Sequence, residues 1–151
     1  MLNLISVLKR YLSFKDRFTF DEEQEIKQTM NLYQGDFLPE MRFEPYAVEF
    51  REKLNNDFLR ASLSFAKYLI SQSRRMEAER LLLGGLMIDP LWGEGVELLM
   101  LTYADAGELF KTLKVYRKYE SRMNDELGLD PDDSIKAQFN GLMSGIFMTK
   151  K

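Results

Sequence analysis

Two stretches of this chain, 34 positions apart, share one pattern of polar and apolar residues. The segment Ser73–Ala78 aligns on the segment Gly107–Thr112. In the same register four flanking positions coincide: Phe65 with Leu99, Leu69 with Tyr103, Leu81 with Val115, and Leu82 with Tyr116. Repetition at a fixed period of this size constrains the fold strongly, because it predicts copies of one supersecondary unit stacked on each other.

A period of 34 residues is that of the tetratricopeptide repeat, in which each unit is a helical hairpin. A single hairpin cannot bury its apolar face alone, so hairpins stack and present a concave surface to a partner. The repeat therefore predicts an all-α protein-interaction module of tetratricopeptide-like stacked hairpins rather than a catalyst.

Length and composition narrow the classes of function. The chain has 151 residues, which fits one domain over residues 1–151 with a sizeable core. It contains neither histidine nor cysteine, and this removes thiol nucleophiles, His-dependent triads, disulfides and nearly all zinc or copper sites. We therefore expect that the chain is not an enzyme and that it binds no cofactor, metal or small-molecule ligand. Autonomous binding to nucleic acid favours a strongly basic face, and the formal net charge of -3 gives no indication of one.

No apolar run reaches the roughly 20 residues that span a bilayer. The opening segment Met1–Leu8 is too brief for the core of a signal peptide, and Lys9 and Arg10 follow it rather than precede it. We expect a cytoplasmic protein without a membrane partner.

Apolar spacing predicts about seven helices and no strand. Their approximate ranges are Leu2–Phe14, Asp21–Tyr33, Pro45–Leu69, Ala78–Ile88, Pro90–Ala106, Leu109–Leu127 and Ile135–Ile146. The longest apolar stripe comprises Phe50, Leu54, Phe58, Ala61, Phe65 and Leu69, at steps of three or four. Short turns between most helices favour a right-handed, solenoid-like array, which the last helix caps.

Helix ends have recognisable signals. Asp21 and Gln24 resemble a capping box, and Gly35, Gly107 and Gly128 suit the left-handed position that ends a helix. Asp89-Pro90 predicts an N-cap followed by the first helical residue, and Asp130-Pro131 repeats this arrangement.

Several of these segments resemble a known family. Leu32-Tyr33-Gln34-Gly35-Asp36-Phe37-Leu38-Pro39 resembles the Leu-Tyr-x-Gly-Asp-Phe-Leu-Pro signature of the bacterial transcriptional activator domain. The resemblance continues through Glu44-Pro45 and through Ala78 to Pro90, and it ends in Glu126-Leu127-Gly128-Leu129-Asp130-Pro131. It covers essentially the whole chain.

The resemblance implies a tetratricopeptide-like domain that, in the family, follows an N-terminal winged-helix DNA-binding domain, as in regulators of antibiotic biosynthesis. Related architectures attach it to receiver or ATPase domains. This chain has no winged helix, and its first residue falls about where the helical domain would begin. We therefore expect an excised domain or a truncated gene product, which contacts DNA only through a domain that this chain lacks.

Three groups of residues invite a functional or a structural interpretation. The loop Leu32–Pro39 is either a partner-contacting surface or an apolar plug, and the exposure cost of Phe37 and Leu38 favours the plug. Tyr68, Tyr103, Tyr116 and Tyr119 either line the concave face or pack in the core, which is commoner at helical spacing. A basic run on the sixth predicted helix either contacts DNA phosphates or an acidic polymerase surface, or forms a solvated face; it comprises Lys111, Lys114, Arg117, Lys118 and Arg122.

Gly85 falls on the repeat position where a small residue lets paired helices approach, and Ala78 lies on the same side of the predicted hairpin. We expect both residues to pack against the helix that begins at Pro45. Gly84 has no such explanation, and it would either allow a bend or face solvent.

The preferred function is therefore a regulatory domain of a bacterial transcription factor. It would couple or position a DNA-binding domain and contact RNA polymerase, another domain of its own chain or a second protomer. The alternative is a free-standing tetratricopeptide-like adaptor with no role in transcription. A winged helix encoded directly upstream of Met1 would separate the two.

Overall fold

The computed structural model describes residues 17–32 and 45–149, and all regular structure within these ranges is α-helical. The six helices are α1 (Phe20–Leu32), α2 (Pro45–Ser71), α3 (Arg75–Ile88), α4 (Gly93–Asp105), α5 (Leu109–Leu127) and α6 (Asp133–Thr149). The all-α prediction is thus confirmed for the described residues. The predicted helix Leu2–Phe14 lies outside them.

The chain divides into two compact units, Met1–Ala78 and Glu79–Lys151. The assignment of one domain over residues 1–151 stays a prediction.

The first unit is built on the apolar stripe of α2. From Leu54 to Leu69 every member of the predicted stripe is buried. Ile26 of α1 is fully buried in the same unit. The Phe18 ring lies 5.2 Å from the Phe65 ring and 4.8 Å from the Tyr68 ring, between centroids. The side chain of Phe50, the first member of the stripe, lies outside the described side chains.

The second unit has its core between α4, α5 and α6. The buried members of this core are Val96, Met100, Tyr116, Tyr119, Met123, Ile135 and Phe139. The rings of Tyr116 and Phe139 stack with their centroids 3.9 Å apart. The side-chain amide of Gln138 also donates a hydrogen bond to the Glu97 carbonyl oxygen at 2.9 Å, which ties α6 to α4.

The turns after α2 and α4 have the same hydrogen bonds at a separation of 34 residues. The Arg74 amide donates to the Leu69 carbonyl at 2.8 Å, and the Glu108 amide donates to the Tyr103 carbonyl at the same distance. The residues before these donors, Ser73 and Gly107, both have positive φ. This is the Schellman arrangement of a helix end. The repeat register predicted from sequence is therefore present in the backbone of both turns.

Burial follows the same register. Ala78 and Thr112, which the repeat aligns, are both inaccessible to solvent. Leu82 and Tyr116 are also both buried. The aligned positions thus have the same structural role in two different helices.

Three predictions of helix starts are wrong: those at Asp21, at Asp89-Pro90 and at Asp130-Pro131. The capping box at α1 is formed by Thr19 and Glu22 rather than by Asp21 and Gln24. The Glu22 amide donates to Thr19 Oγ1 at 3.2 Å, and the Thr19 amide donates to Glu22 Oε1 at 3.0 Å. Threonine followed three residues later by glutamate satisfies two amides reciprocally, whereas Asp21 already lies in the first helical turn.

The Asp89-Pro90 step is a turn rather than the start of a helix. Asp89 Oδ1 accepts a hydrogen bond from the Leu91 amide at 3.0 Å, and the Asp89 carbonyl accepts one from the Trp92 amide. These bonds close a local turn, and α4 begins only at Gly93. The second Asp-Pro step does not start a helix either, since α6 begins at Asp133, two residues after Pro131.

The ends predicted at Gly107 and Gly128 are confirmed, with φ of 74° and 65°. Within the described residues no helix is both long and apolar enough to cross a membrane.

Candidate protein-interaction surface

The tyrosines proposed for a binding groove are buried. Tyr68 is 9% exposed, and its ring packs against the Phe18 and Phe65 rings in the first unit. Its hydroxyl donates a hydrogen bond of 3.4 Å to the Phe18 carbonyl. Tyr68 therefore packs in the core and anchors the chain before α1.

Tyr103 and Tyr119 are each 5% exposed in the second unit. The Tyr103 hydroxyl donates to Glu79 Oε1 at 3.0 Å, and burial together with this carboxylate raises the pKa of Tyr103. Burial also raises the pKa of Tyr119. Both side chains are buried core residues of the second unit, and their contact with a partner stays a prediction, as it does for the exposed cations of α5.

The structure divides these cations into two kinds. Arg117 pairs with Glu120 at 2.9 Å, and its guanidinium lies over the Tyr116 and Phe139 rings at 5.8 and 5.7 Å. Lys114 and Lys118 are exposed and, among the described residues, have no ion-pair partner. Arg117 thus covers the core of the second unit, while the two lysines face solvent.

Phe110 lies one turn before Lys114 and is 74% exposed. Lys111 pairs with Glu108 at 3.2 Å and lies over the Tyr103 ring. We call Phe110, Lys111, Lys114 and Lys118 the α5 basic face. The opposite side of α5 is buried through Thr112, Tyr116, Tyr119 and Met123.

The first unit contains an ion-pair network that sequence reasoning missed. Arg74 binds Glu77 with two hydrogen bonds, of 2.6 and 2.8 Å, and also pairs with Glu23. Lys27 lies 3.2 Å from Glu23 and 3.4 Å from Glu77. Glu23 is only 8% exposed. The network joins α1 to the turn between α2 and α3.

The network perturbs its carboxyl groups. Hydrogen bonding to Arg74 lowers the pKa of Glu77 to about 2, and it also lowers the pKa of Glu23. The same pairing raises the pKa of Arg74. The spacings Glu23–Lys27 and Arg74–Glu77 are visible in the sequence, but the contact between Glu23 and Arg74 depends on the fold.

Gly85 and Gly95 approach the Trp92 ring from two helices. A Cβ placed on Gly85 would lie 2.8 Å from Trp92 Cε3, and one on Gly95 would lie 2.7 Å from Trp92 Cδ2. Trp92 is 7% exposed, so both glycines leave room for a buried indole. The neighbour of Gly85 is thus Trp92. Packing of Gly85 against the helix that begins at Pro45 stays a prediction. A Cβ placed on Gly84 would have no neighbouring atom within 4 Å, and Gly84 is exposed.

The remaining predicted residues divide between buried and undescribed positions. Ala78 is fully buried. The signature residues Tyr33, Gly35, Asp36, Phe37, Leu38 and Pro39 lie outside the described residues. No group of His, Cys, Asp and Glu side chains in the described ranges could hold a metal ion.

The described residues are thus all-helical, and the exposed cations of α5 stay a predicted contact surface. Residues 19–142 match the model of the bacterial transcriptional activator domain. The chain belongs to this family of regulatory domains, which are parts of transcription factors rather than enzymes. Its domain is thus of the transcriptional-activator type. Comparisons with curated proteins and with solved structures gave no match.

Proposed function

We propose that this chain is the protein-interaction domain of a cytoplasmic bacterial transcriptional regulator. It positions or couples a DNA-binding domain and offers a helical surface to RNA polymerase or to another partner. The observation that carries the proposal is the family match over residues 19–142, which includes described helices of both units.

The proposed architecture is a tetratricopeptide-like array of stacked hairpins. The equal hydrogen bonds at Arg74 and Glu108 support it, because they place two turns in one repeat register. The buried pair Ala78 and Thr112 supports it at the position where paired helices approach. Stacked hairpins present extended surfaces, which suit contact with a protein.

The charge distribution favours a protein rather than DNA as the direct partner. The chain carries a formal charge of -3, and Glu108 and Glu120 lie among the cations of α5. A duplex-binding surface of comparable size is usually much more positive. DNA would therefore be contacted by an attached domain.

Direct binding to purified RNA polymerase holoenzyme tests the proposed partner. The chain, labelled at its N-terminus, is titrated with polymerase and followed by fluorescence anisotropy, with an equally labelled helical protein of similar charge as control. The proposal expects saturable binding that unlabelled chain competes away. Binding no stronger than that of the control would contradict the polymerase contact and favour an adaptor without a role in transcription.

A further inference from the structure

The α5 basic face combines exposed positive charge with an exposed aromatic ring. Lys111, Lys114 and Lys118 follow each other at steps of three and four, so they lie on one side of the helix. All three are exposed, and Phe110 lies beside them. The buried residues of α5 lie on the other side of the helix, so this face is turned to solvent.

Helix stability does not explain where these charges lie. Helices are stabilised by acidic residues in the first turn and basic residues in the last turn. In α5 the first turn has no acidic residue and contains Lys111, while the last turn has no basic residue and contains Asp125 and Glu126. Apart from Glu108 at the N-cap, the charges at the two ends of α5 are therefore opposite to those that the helix dipole favours, and Lys114 and Lys118 lie in the middle of the helix, where the dipole has little effect.

Neighbouring groups compensate the two ends of α5 unequally. Near the C-terminus, Arg122 pairs with Glu126 at 2.9 Å. On the basic face, Glu108 pairs with Lys111, but Lys114 and Lys118 have no ion pair within the described part of the chain. The face thus presents two positive charges that no described residue balances with an ion pair.

We propose that the α5 basic face docks an acidic protein segment that carries an apolar side chain. The acidic groups would complement Lys114 and Lys118, and the apolar side chain would cover Phe110. This inference rests on the proposed function, since it specifies the surface through which such a domain contacts a protein partner.

Phe110 distinguishes a protein segment from DNA as the occupant. A phosphate backbone offers charge but no apolar group to cover an exposed aromatic ring, whereas an amphipathic peptide offers both. The geometry therefore favours the acidic peptide.

A charge-reversal experiment on the whole chain tests the inference. The probe is a fluorescein-labelled synthetic helical peptide in which Glu recurs every three or four positions beside a stripe of Leu. Anisotropy titrations compare the unmodified chain with the double variant Lys114→Glu/Lys118→Glu. The double variant should bind about tenfold more weakly, because two attractive contacts become repulsive.

The matched control is Lys53→Glu/Arg60→Glu, which makes the same change in net charge at two exposed positions of α2. It should bind the peptide as the unmodified chain does. A second peptide with Lys in place of Glu should bind the double variant more tightly than it binds the unmodified chain. Phe110→Ala should weaken binding of the acidic peptide, and circular dichroism verifies that every variant is folded.

Three results would overturn the inference: no binding of the acidic peptide, an equal loss in the α2 control, or tighter binding of duplex DNA at physiological salt. Its failure is separable from failure of the proposed function. If the double variant still binds RNA polymerase as the unmodified chain does, the α5 basic face is not the docking surface but the proposed function stands.

Discussion

Ser73 and Gly107 occupy the same left-handed backbone position in two helix–helix turns, with φ of 61° and 74°. Each is followed by an amide that bonds back to the end of the preceding helix at 2.8 Å. Glycine tolerates this conformation without a steric penalty, whereas serine does not. Serine at this position keeps a Cβ close to backbone atoms, which costs about 1–2 kcal/mol for L-residues.

Replacing Ser73 by glycine should therefore stabilise the protein. The relief of backbone strain exceeds the greater flexibility of glycine in the unfolded chain, which costs about 0.4–1 kcal/mol. We expect a gain of up to about 1 kcal/mol, measured as a higher midpoint in thermal or urea unfolding.

The reciprocal change, Gly107→Ala, should lower stability by about 1 kcal/mol. A Cβ at Gly107 has no neighbouring atom within 4 Å, so the loss would come from the backbone alone. The two substitutions should thus change stability in opposite directions. If both raised it or both lowered it, the two turns would not be equivalent.

Much of this fold was predictable because local signals and the repeat point to the same helices. The stripe from Leu54 to Leu69 and the glycine ends at Gly107 and Gly128 depend on neighbours within one turn, which the sequence displays. The N-caps predicted at Asp89 and Asp130 are wrong, because an Asp-Pro pair is not specific to an N-cap and also fits a turn, as it does at Asp89.

The candidate surface was less predictable. The sequence shows that α5 is rich in cations, but it does not show that Arg117 covers two stacked rings while Lys114 extends into solvent. Tyr103 illustrates the same limit, because its burial depends on contacts between helices. Contacts across long separations, such as Glu23 with Arg74, have no local pattern.

Gly85→Leu should destabilise the second unit. The new side chain would collide with the buried Trp92 ring, and overpacking of a core typically costs 1–3 kcal/mol. Chemical unfolding monitored by the fluorescence of Trp92, the single tryptophan, would report both the stability and the displacement of the ring.

Gly84→Ala is the matched control for Gly85→Leu. Gly84 is exposed on the same helix, so alanine should be neutral or stabilise by up to about 1 kcal/mol. A Gly85→Leu protein that melts at or above the temperature of the unmodified chain would contradict the packing around Trp92.

The ion-pair network should make stability depend on acid pH. Arg74 lowers the pKa of Glu77 in the folded chain from about 4.5 to about 2. The unfolded chain therefore binds the proton first as the pH falls. The stabilisation is present above about pH 4.5 and is lost as the pH falls towards about 2.

Thermal melts across this range should show that Glu77→Gln is less dependent on pH than the unmodified chain. Glu52→Gln, at an exposed position of α2, serves as the control and should keep the original dependence. If the melting temperature of Glu77→Gln changed with pH as that of the unmodified chain does, the ion pairs of Glu77 would not be the cause of the pH dependence.

The isolated chain should bind duplex DNA only weakly and without sequence preference. With a net charge of -3 the chain should bind DNA weakly, and any such binding would be electrostatic and should decline with salt. Gel-shift titrations with several unrelated duplexes at physiological salt measure this. Submicromolar binding to one sequence and not to the others would contradict the prediction.

Transcription in vitro tests the central claim most directly. The chain is fused behind a well-characterised operator-binding domain and added to purified RNA polymerase and a weak promoter that carries the operator. We predict more transcript with the fusion than with the operator-binding domain alone, at equal operator occupancy, and no increase on a template without the operator. Equal transcript from the fusion and from the operator-binding domain alone would contradict the account of this chain as a transcriptional activator domain.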